Sequence, residues 1–194
     1  EEHNTVHIYG FDLTGPGGPY IPLVFESNDE YENTNKSLFV HGEFSVTDRL
    51  TVLGGYRYTE EEKDLLVRRF FSGDPPPTEV SRDDWRVGAS FDLNDDMMIF
   101  GNVSTGYRSG GYNARPFAAA DLVSYGPEEA KSYEAGFKGD FLDRRLRVNA
   151  TYFYVDYSDL VVNVLRANLL GLPSTVPTNA SSATNKGIEL EIEP

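Results

Sequence analysis

The chain has 194 residues, a formal net charge of −14, 39% hydrophobic residues, 13% aromatic residues and no cysteine. A disulfide-rich mini-protein and a cysteine-ligated metal module are excluded, because both need cysteine. With 31 acidic against 17 basic residues, the chain lacks the positive charge with which proteins bind nucleic acid. No apolar run approaches the roughly 20 residues that a membrane-spanning helix needs. Strands of a membrane β-barrel alternate apolar and polar residues, so the lack of such a run does not exclude a barrel.

Three β-hairpins are predicted from apolar residues that occupy every second position on both sides of a short polar turn. The paired runs are residues 37–46 with 50–58, 85–93 with 97–107, and 133–141 with 146–154. In the third hairpin this register sets Asp140 opposite Arg147, a favourable pair of charges. A further strand is predicted over residues 188–193.

Long polar connections alternate with these short turns. We expect loops over residues 60–83, 109–129 and 158–183, and we expect residues 1–36 to be mainly a loop with a short strand near residues 6–11. Loops of this length are uncommon in a compact soluble domain. Short turns at one end and long loops at the other are typical of outer-membrane barrels, whose turns face the periplasm and whose long loops are extracellular.

The distribution of aromatic residues separates a lipid-facing sheet from a soluble one. Tyrosine and tryptophan gather at membrane interfaces, and on the apolar face of the predicted strands they lie at the ends nearest the long loops. This predicted membrane-interface girdle comprises Tyr56, Tyr58, Trp85, Tyr107, Tyr133, Tyr152 and Tyr154. The opposite face carries residues of both charges, as expected of the water-filled side of a barrel.

The predicted fold class is therefore all-β, an antiparallel transmembrane β-barrel of which this chain supplies about seven strands. Seven strands would leave two unpaired edges, which lipid does not tolerate, so we expect the chain to be part of a larger barrel. The alternative at this point is a soluble β-sandwich whose core lies on the apolar face.

Five stretches in order resemble the TonB-dependent outer-membrane receptors, a family that imports ferric siderophores, cobalamin and some glycans. Residues 50–63 end in the pattern GxRYTxExK, and residues 127–138 match PExxxxYExGxK. The other three stretches are STGYRSGGYN at 104–113, ATYFYVDYSDL at 150–160 and NASSATNKGIELE at 179–191.

The resemblance implies a barrel of 22 strands closed by an N-terminal plug domain, with a short segment that engages the TonB system in the periplasm. We expect residues 1–194 to be part of one barrel domain, with residues 37–193 forming three hairpins and one further strand, and the plug to lie outside these residues. The implied function is TonB-energised uptake of a scarce ligand, such as a ferric siderophore, across the outer membrane of a Gram-negative bacterium. The implied partners are outer-membrane lipid, the TonB system and that small ligand.

No catalytic constellation is found: histidines are few, and neither a nucleophile elbow nor a phosphate-binding loop occurs. We therefore predict no enzyme, no catalytic residue, no metal site and no cofactor. Cationic and aromatic groups near the predicted outer mouth suit an anionic, aryl-bearing ferric chelate. These candidate ligand-binding residues are Arg108, Tyr112, Arg115 and Tyr125.

Two alternatives remain open from the sequence. Arg108 could pair with a carboxylate of the lumen while the tyrosines order their own loops. The whole protein could be a passive porin or an adhesin barrel, or less favourably a soluble carbohydrate-binding β-sandwich.

Overall fold

The computed structural model of this chain describes residues 2–8, 25–68, 72–113, 116, 118–167 and 173–194. These residues form eleven strands and one 3-10 turn, Ala119–Asp121. The strands are β1 Glu2–Ile8, β2 Phe25–Ser45, β3 Leu50–Arg68, β4 Ser72–Gly73, β5 Thr78–Asn94, β6 Met97–Arg108, β7 Gly111–Tyr112, β8 Ser124–Tyr125, β9 Glu128–Phe141, β10 Leu146–Ala167 and β11 Pro173–Glu193. Among the described residues there is no helix of the length and apolarity needed to cross a bilayer.

One antiparallel sheet contains the long strands in the order β1-β2-β3-β5-β6-β9-β10-β11, with β4 paired to β3. Strands that follow each other along the chain are neighbours in this sheet, as short connections favour. The all-β, antiparallel prediction is confirmed. All three hairpins are confirmed in their positions, and Asp140 does pair with Arg147 in register.

The predicted loops are wrong over much of their length. β3 continues to Arg68, β5 begins at Thr78, and β10 and β11 extend to Ala167 and from Pro173. Strands β1 and β2 likewise occupy much of residues 1–36, while residues 9–11 of the expected short strand lie outside the described residues. The reason is that antiparallel backbone pairing continues there with little regular alternation of apolar and polar residues, so the usual signal of a strand is weak.

Within the described part of the chain, the connection after β6 remains largely irregular, as predicted. Between Arg108 and Glu128 it contains the two-residue strands β7 and β8, which pair with each other, and the 3-10 turn. This connection folds back against the sheet, as the contacts below show.

The two faces of the sheet differ as predicted. Cross-strand rows place apolar residues side by side on one face, for example Leu50, Phe91, Ile99, Phe137, Ala150 and Leu190. We call this the apolar face. Many of its side chains are exposed, including Phe91, Ile99 and Leu190, and the buried hydrophobic residues among those described are Val67, Tyr112 and Val176. A sheet with an uncovered apolar face and so little core fits a lipid-facing wall and not a packed sandwich.

The opposite face, which we call the polar face, carries hydrogen-bonded charged and amide groups. Asn102 donates to Glu134 at 3.0 Å, and Asn149 donates to Glu191 at 3.0 Å. Aromatic rings also lie here over glycines on the next strand. A Cβ at Gly187 would lie 2.9 Å from the ring of Phe153, so glycine is required for this close approach.

Candidate functional site

Aromatic side chains form a continuous cluster at the outer end of the apolar face, the end away from the short turns. Tyr56 and Trp85 are partners in register on β3 and β5. The Lys131 ammonium lies 6.0 Å from the Trp85 ring and 5.5 Å from the Tyr133 ring. Tyr133 and Tyr154 meet edge to face, with ring centroids 6.0 Å apart. This cluster has the mixed aromatic and cationic composition of a membrane interface.

The remaining predicted girdle residues divide into two groups. Tyr152 is exposed one row below this cluster, and Tyr58 lies one row above it, where its hydroxyl donates to Glu60 at 2.9 Å. Tyr107 departs from the prediction, because its hydroxyl meets Thr59 on the polar face and its ring lies 5.8 Å from the Arg82 guanidinium. Tyr107 lies beyond the last residues of β5 and β6 that pair in register, Arg86 and Ser104, where β6 pairs with β9 alone.

Arg108, at the end of β6, has an ionic partner. Its Nε atom lies 3.2 Å from Glu128 Oε2, which is largely buried, while the Arg108 side chain is 70% exposed. Glu128 also accepts a hydrogen bond of 2.8 Å from the Val161 amide. The pairing left open by the sequence is therefore present, and the outward part of the guanidinium remains in solvent.

Tyr112 and Tyr125 make contacts that order the connection between β6 and β9. Tyr112 is buried, and its hydroxyl lies within hydrogen-bonding distance of the carbonyls of Lys63 (2.7 Å) and Pro76 (3.0 Å). Tyr125 pairs with Gly111 and lies over it. This geometry favours the loop-ordering alternative for both tyrosines. Arg115 lies outside the described residues.

A buried ionic cluster on the polar face was missed by the sequence reasoning. Lys63 and Glu61 are both buried, with 3.3 Å between Nζ and Oε1. The same ammonium donates to Ser109 Oγ at 2.5 Å and to the Gly110 carbonyl at 2.6 Å. Both residues belong to the GxRYTxExK pattern, but that pattern gives them no role.

A second cluster joins the far side of the connection to β11. Asn113 Nδ2 donates to the carbonyl of Asp121 at 2.9 Å and to that of Thr175 at 3.2 Å. Ser174 Oγ donates to Asp121 Oδ2 at 2.9 Å, and both residues are buried. No buried side-chain nitrogen or oxygen among the described residues lacks a partner.

The short turns at the other end of the sheet are tied together by exposed groups. Arg144 Nε lies 2.9 Å from Asp96 Oδ1, which joins two successive turns and raises the pKa of Arg144 through this hydrogen bond and the charge of Asp96. The Asp140 amide also donates to the Asp96 carbonyl at 2.8 Å. In the described part of the chain, no group of three or more His, Cys, Asp or Glu side chains is arranged to hold a metal ion.

Comparison with known families decides the assignment. Residues 2–193 match the family model described as "TonB dependent receptor-like, beta-barrel". This chain belongs to that family. The resemblance found in the five sequence stretches is thereby confirmed, and with it the partial barrel fold.

Several individual TonB-dependent receptors are similar to the chain. The pesticin receptor of Yersinia pestis is 28% identical over 150 residues, which are 75% of this chain and 21% of that protein. The ferric-pyoverdine 358 receptor of Pseudomonas putida is 25% identical over 193 residues, 96% of this chain and 22% of that protein. The chain thus spans about a fifth of the length of these relatives.

A solved structure shows the same fold. The ferric yersiniabactin uptake receptor of Yersinia pestis superimposes with a TM-score of 0.74 at 22% identity, over 89% of this chain and 26% of that structure. The soluble sandwich alternative is therefore wrong, since both the family and the fold are those of an outer-membrane barrel.

Proposed function

We propose that this chain is part of an outer-membrane receptor of a Gram-negative bacterium that takes up a ferric siderophore with energy from the TonB system. The observation that carries the proposal is the family match over residues 2–193. It is supported by relatives that are named as receptors for a ferric siderophore. In this role the protein is a receptor and transporter, not an enzyme.

The two faces of the sheet have different roles in this function. The apolar face contacts lipid, and the aromatic cluster with Lys131 sits at the outer interface, where amphipathic side chains are stable. The polar face lines the barrel interior. Ligand is captured at the outer end, and the TonB system then drives rearrangement of the plug domain that the family carries.

Arg108 is the strongest remaining candidate for contact with an anionic chelate. Glu128 holds its Nε side, so the guanidinium is oriented while its outward edge stays in solvent. Arg115 remains a candidate from its sequence position alone. Tyr112 is a poor candidate because its ring is buried and its hydroxyl is engaged.

Uptake of radiolabelled iron tests this function. We expect deletion of the gene to abolish energy-dependent uptake of at least one ferric hydroxamate or ferric catecholate, and the intact gene on a plasmid to restore it. Loss of TonB or dissipation of the proton gradient should abolish the same uptake. Uptake that continues without TonB would contradict the proposal and favour a passive porin, and unchanged uptake of all probes on deletion would favour an adhesin.

A further inference from the structure

The connection between β6 and β9 lies across the polar face and not beyond the end of the sheet. We call its described residues, 109–113 and 118–127, the shelf. On one side the shelf contacts Lys63 of β3. On the other side it contacts Ser174 and Asn179 of β11. In the sheet β3 and β11 are five strand intervals apart, a distance of about 24 Å along the wall at about 4.8 Å per interval.

The β3 side of the shelf is held by an ammonium with no spare donor. Lys63 Nζ meets Glu61, Ser109 and the Gly110 carbonyl, which accounts for its three protons. Tyr112 adds a hydroxyl contact to the carbonyl of Lys63 itself. Leu122 packs closely on Gly73 of β4, where an added Cβ would lie 2.5 Å from Leu122 Cδ2 and 3.9 Å from Leu122 Cγ.

On the β11 side, besides the contacts of Ser174 and Thr175, one side-chain amide joins three segments. Asn179 Oδ1 accepts from the Gly126 amide at 2.7 Å, and its Nδ2 donates to the carbonyls of Gly126 (3.0 Å) and Asp159 (2.8 Å). Asp159 sits in a bulge of β10 with a positive φ of 55°. The amide thus fixes the end of the shelf, the bulge and β11 together.

These contacts indicate a fixed structure. Segments that open readily have few buried contacts and solvent-exposed hydrogen bonds. The shelf instead has buried residues where it meets Lys63 and Ser174, including Gly110, Tyr112, Asn113 and Asp121, whereas the hydrogen bonds of Asn179 are exposed.

We infer that the shelf is a permanent constriction of the outer mouth, clamped by Lys63 and Asn179, which limits the size of the ferric chelate that reaches the barrel interior. This inference rests on the proposed function for the nature of the ligand. It assigns to Lys63 and Asn179 a positioning role that sets size selectivity, without contact to the ligand.

A disulfide lock tests whether the shelf is fixed. These 194 residues contain no cysteine, so Gly73→Cys with Leu122→Cys introduces the only cysteine pair of this part of the intact protein, and any native cysteine elsewhere in that protein is replaced by serine. We expect the bond to form without ligand and uptake of a compact ferric hydroxamate to be equal before and after reduction. Failure to form the bond, or uptake that is lost on oxidation and restored by reduction, would overturn the inference.

Release of the clamps tests whether the shelf narrows the mouth. Ser132→Cys places a reporter thiol on the polar face, to be labelled in intact cells with a small and a bulky maleimide. In Lys63→Met and Asn179→Ala we expect bulky labelling to rise by at least about ten-fold, since every loss of about 1.4 kcal/mol of anchoring gives a factor of about ten, with small labelling unchanged. Lys36→Met is the matched control, since Lys36 is exposed and pairs with Glu60 on the other side of the sheet. Equal bulky labelling in all variants would overturn the inference.

The two proposals fail separately. A wild-type protein that takes up no ferric chelate would contradict the proposed function, while the disulfide and the labelling would still report on the shelf. If the clamp variants also admit a bulky ferric hydroxamate that the wild type excludes, the size-selectivity role is supported directly. If the clamp variants show increased labelling by the bulky maleimide but still exclude that chelate, the role of the shelf in size selectivity would be contradicted.

Discussion

The two ends of this sheet are built on different principles. At the turn end, apolar and polar residues alternate up to short turns, and the ion pair Arg144–Asp96 that joins those turns is exposed. At the outer end, the strands continue past the aromatic cluster with little apolar alternation, and buried polar groups such as Lys63 and Glu61 hold them to the shelf. The turn end is thus specified by local pattern, and the outer end by long-range polar contacts.

The largest effect is expected where a buried charge would be left alone. Lys63→Met removes the ammonium and leaves the Glu61 carboxylate buried without a counter-charge, which costs about 3–5 kcal/mol. We expect the free energy of local opening of the shelf to fall by this amount, as measured by hydrogen exchange of the backbone amides of β7. The double variant with Glu61→Gln should recover much of it, and a double variant as unstable as the single one would contradict this account.

A smaller effect is expected from a charge placed in the middle of the apolar face. Val52→Arg should destabilise the folded protein in phospholipid vesicles by about 2–4 kcal/mol, because arginine is costly near the centre of a bilayer. Thr51→Arg is the matched control, since this neighbour lies on the polar face and should cost far less. Urea unfolding measures both, and equal losses in the two variants would show that the apolar face does not meet lipid.

The difference between the two ends also explains which parts of the fold the sequence predicts. Alternation specified the three hairpins and the pair Asp140–Arg147, because side chains on a half-covered strand must follow the period of two. The outer extension of β3, with the run TEEEK at 59–63, shows no apolar alternation, so the sequence predicts a loop there. Its strand conformation comes from pairing with β2 and β5, which a local pattern does not reveal.

The candidate site is less predictable for a related reason. Arg108 and Tyr112 were chosen because their chemistry suits an anionic chelate, but residue type does not tell whether a neighbour already engages the group. Tyr112 is engaged by carbonyls 36 and 49 residues away in the chain. Tyr107 lies beyond the point where β5 and β6 separate, above Arg86 and Ser104, and contacts Thr59 and Arg82 of the polar face. Such contacts depend on tertiary structure and leave no mark on spacing.

A modest gain is expected at the last short turn. Leu142, Asp143 and Arg144 all have positive φ, and Leu142 is 71% exposed, so its side chain adds strain with little packing. Leu142→Gly should stabilise the protein by about 1 kcal/mol, since a left-handed conformation costs a non-glycine residue roughly that amount. Arg145→Gly, in the same turn without positive φ, should instead be neutral or destabilising. A loss of stability in Leu142→Gly, measured by urea unfolding, would show that the turn is not strained.

The smallest effect is expected for the exposed pair between the turns. The Arg144 side chain is 69% exposed and that of Asp96 is 45% exposed, so water and salt screen their attraction. Arg144→Met should therefore leave the urea midpoint nearly unchanged at low salt and unchanged at high salt, whereas the loss in Lys63→Met should persist at both. A loss of stability in Arg144→Met as large as that in Lys63→Met would show that the ion pairs at the two ends stabilise the protein equally. The contrast between an exposed and a buried ion pair would then be wrong.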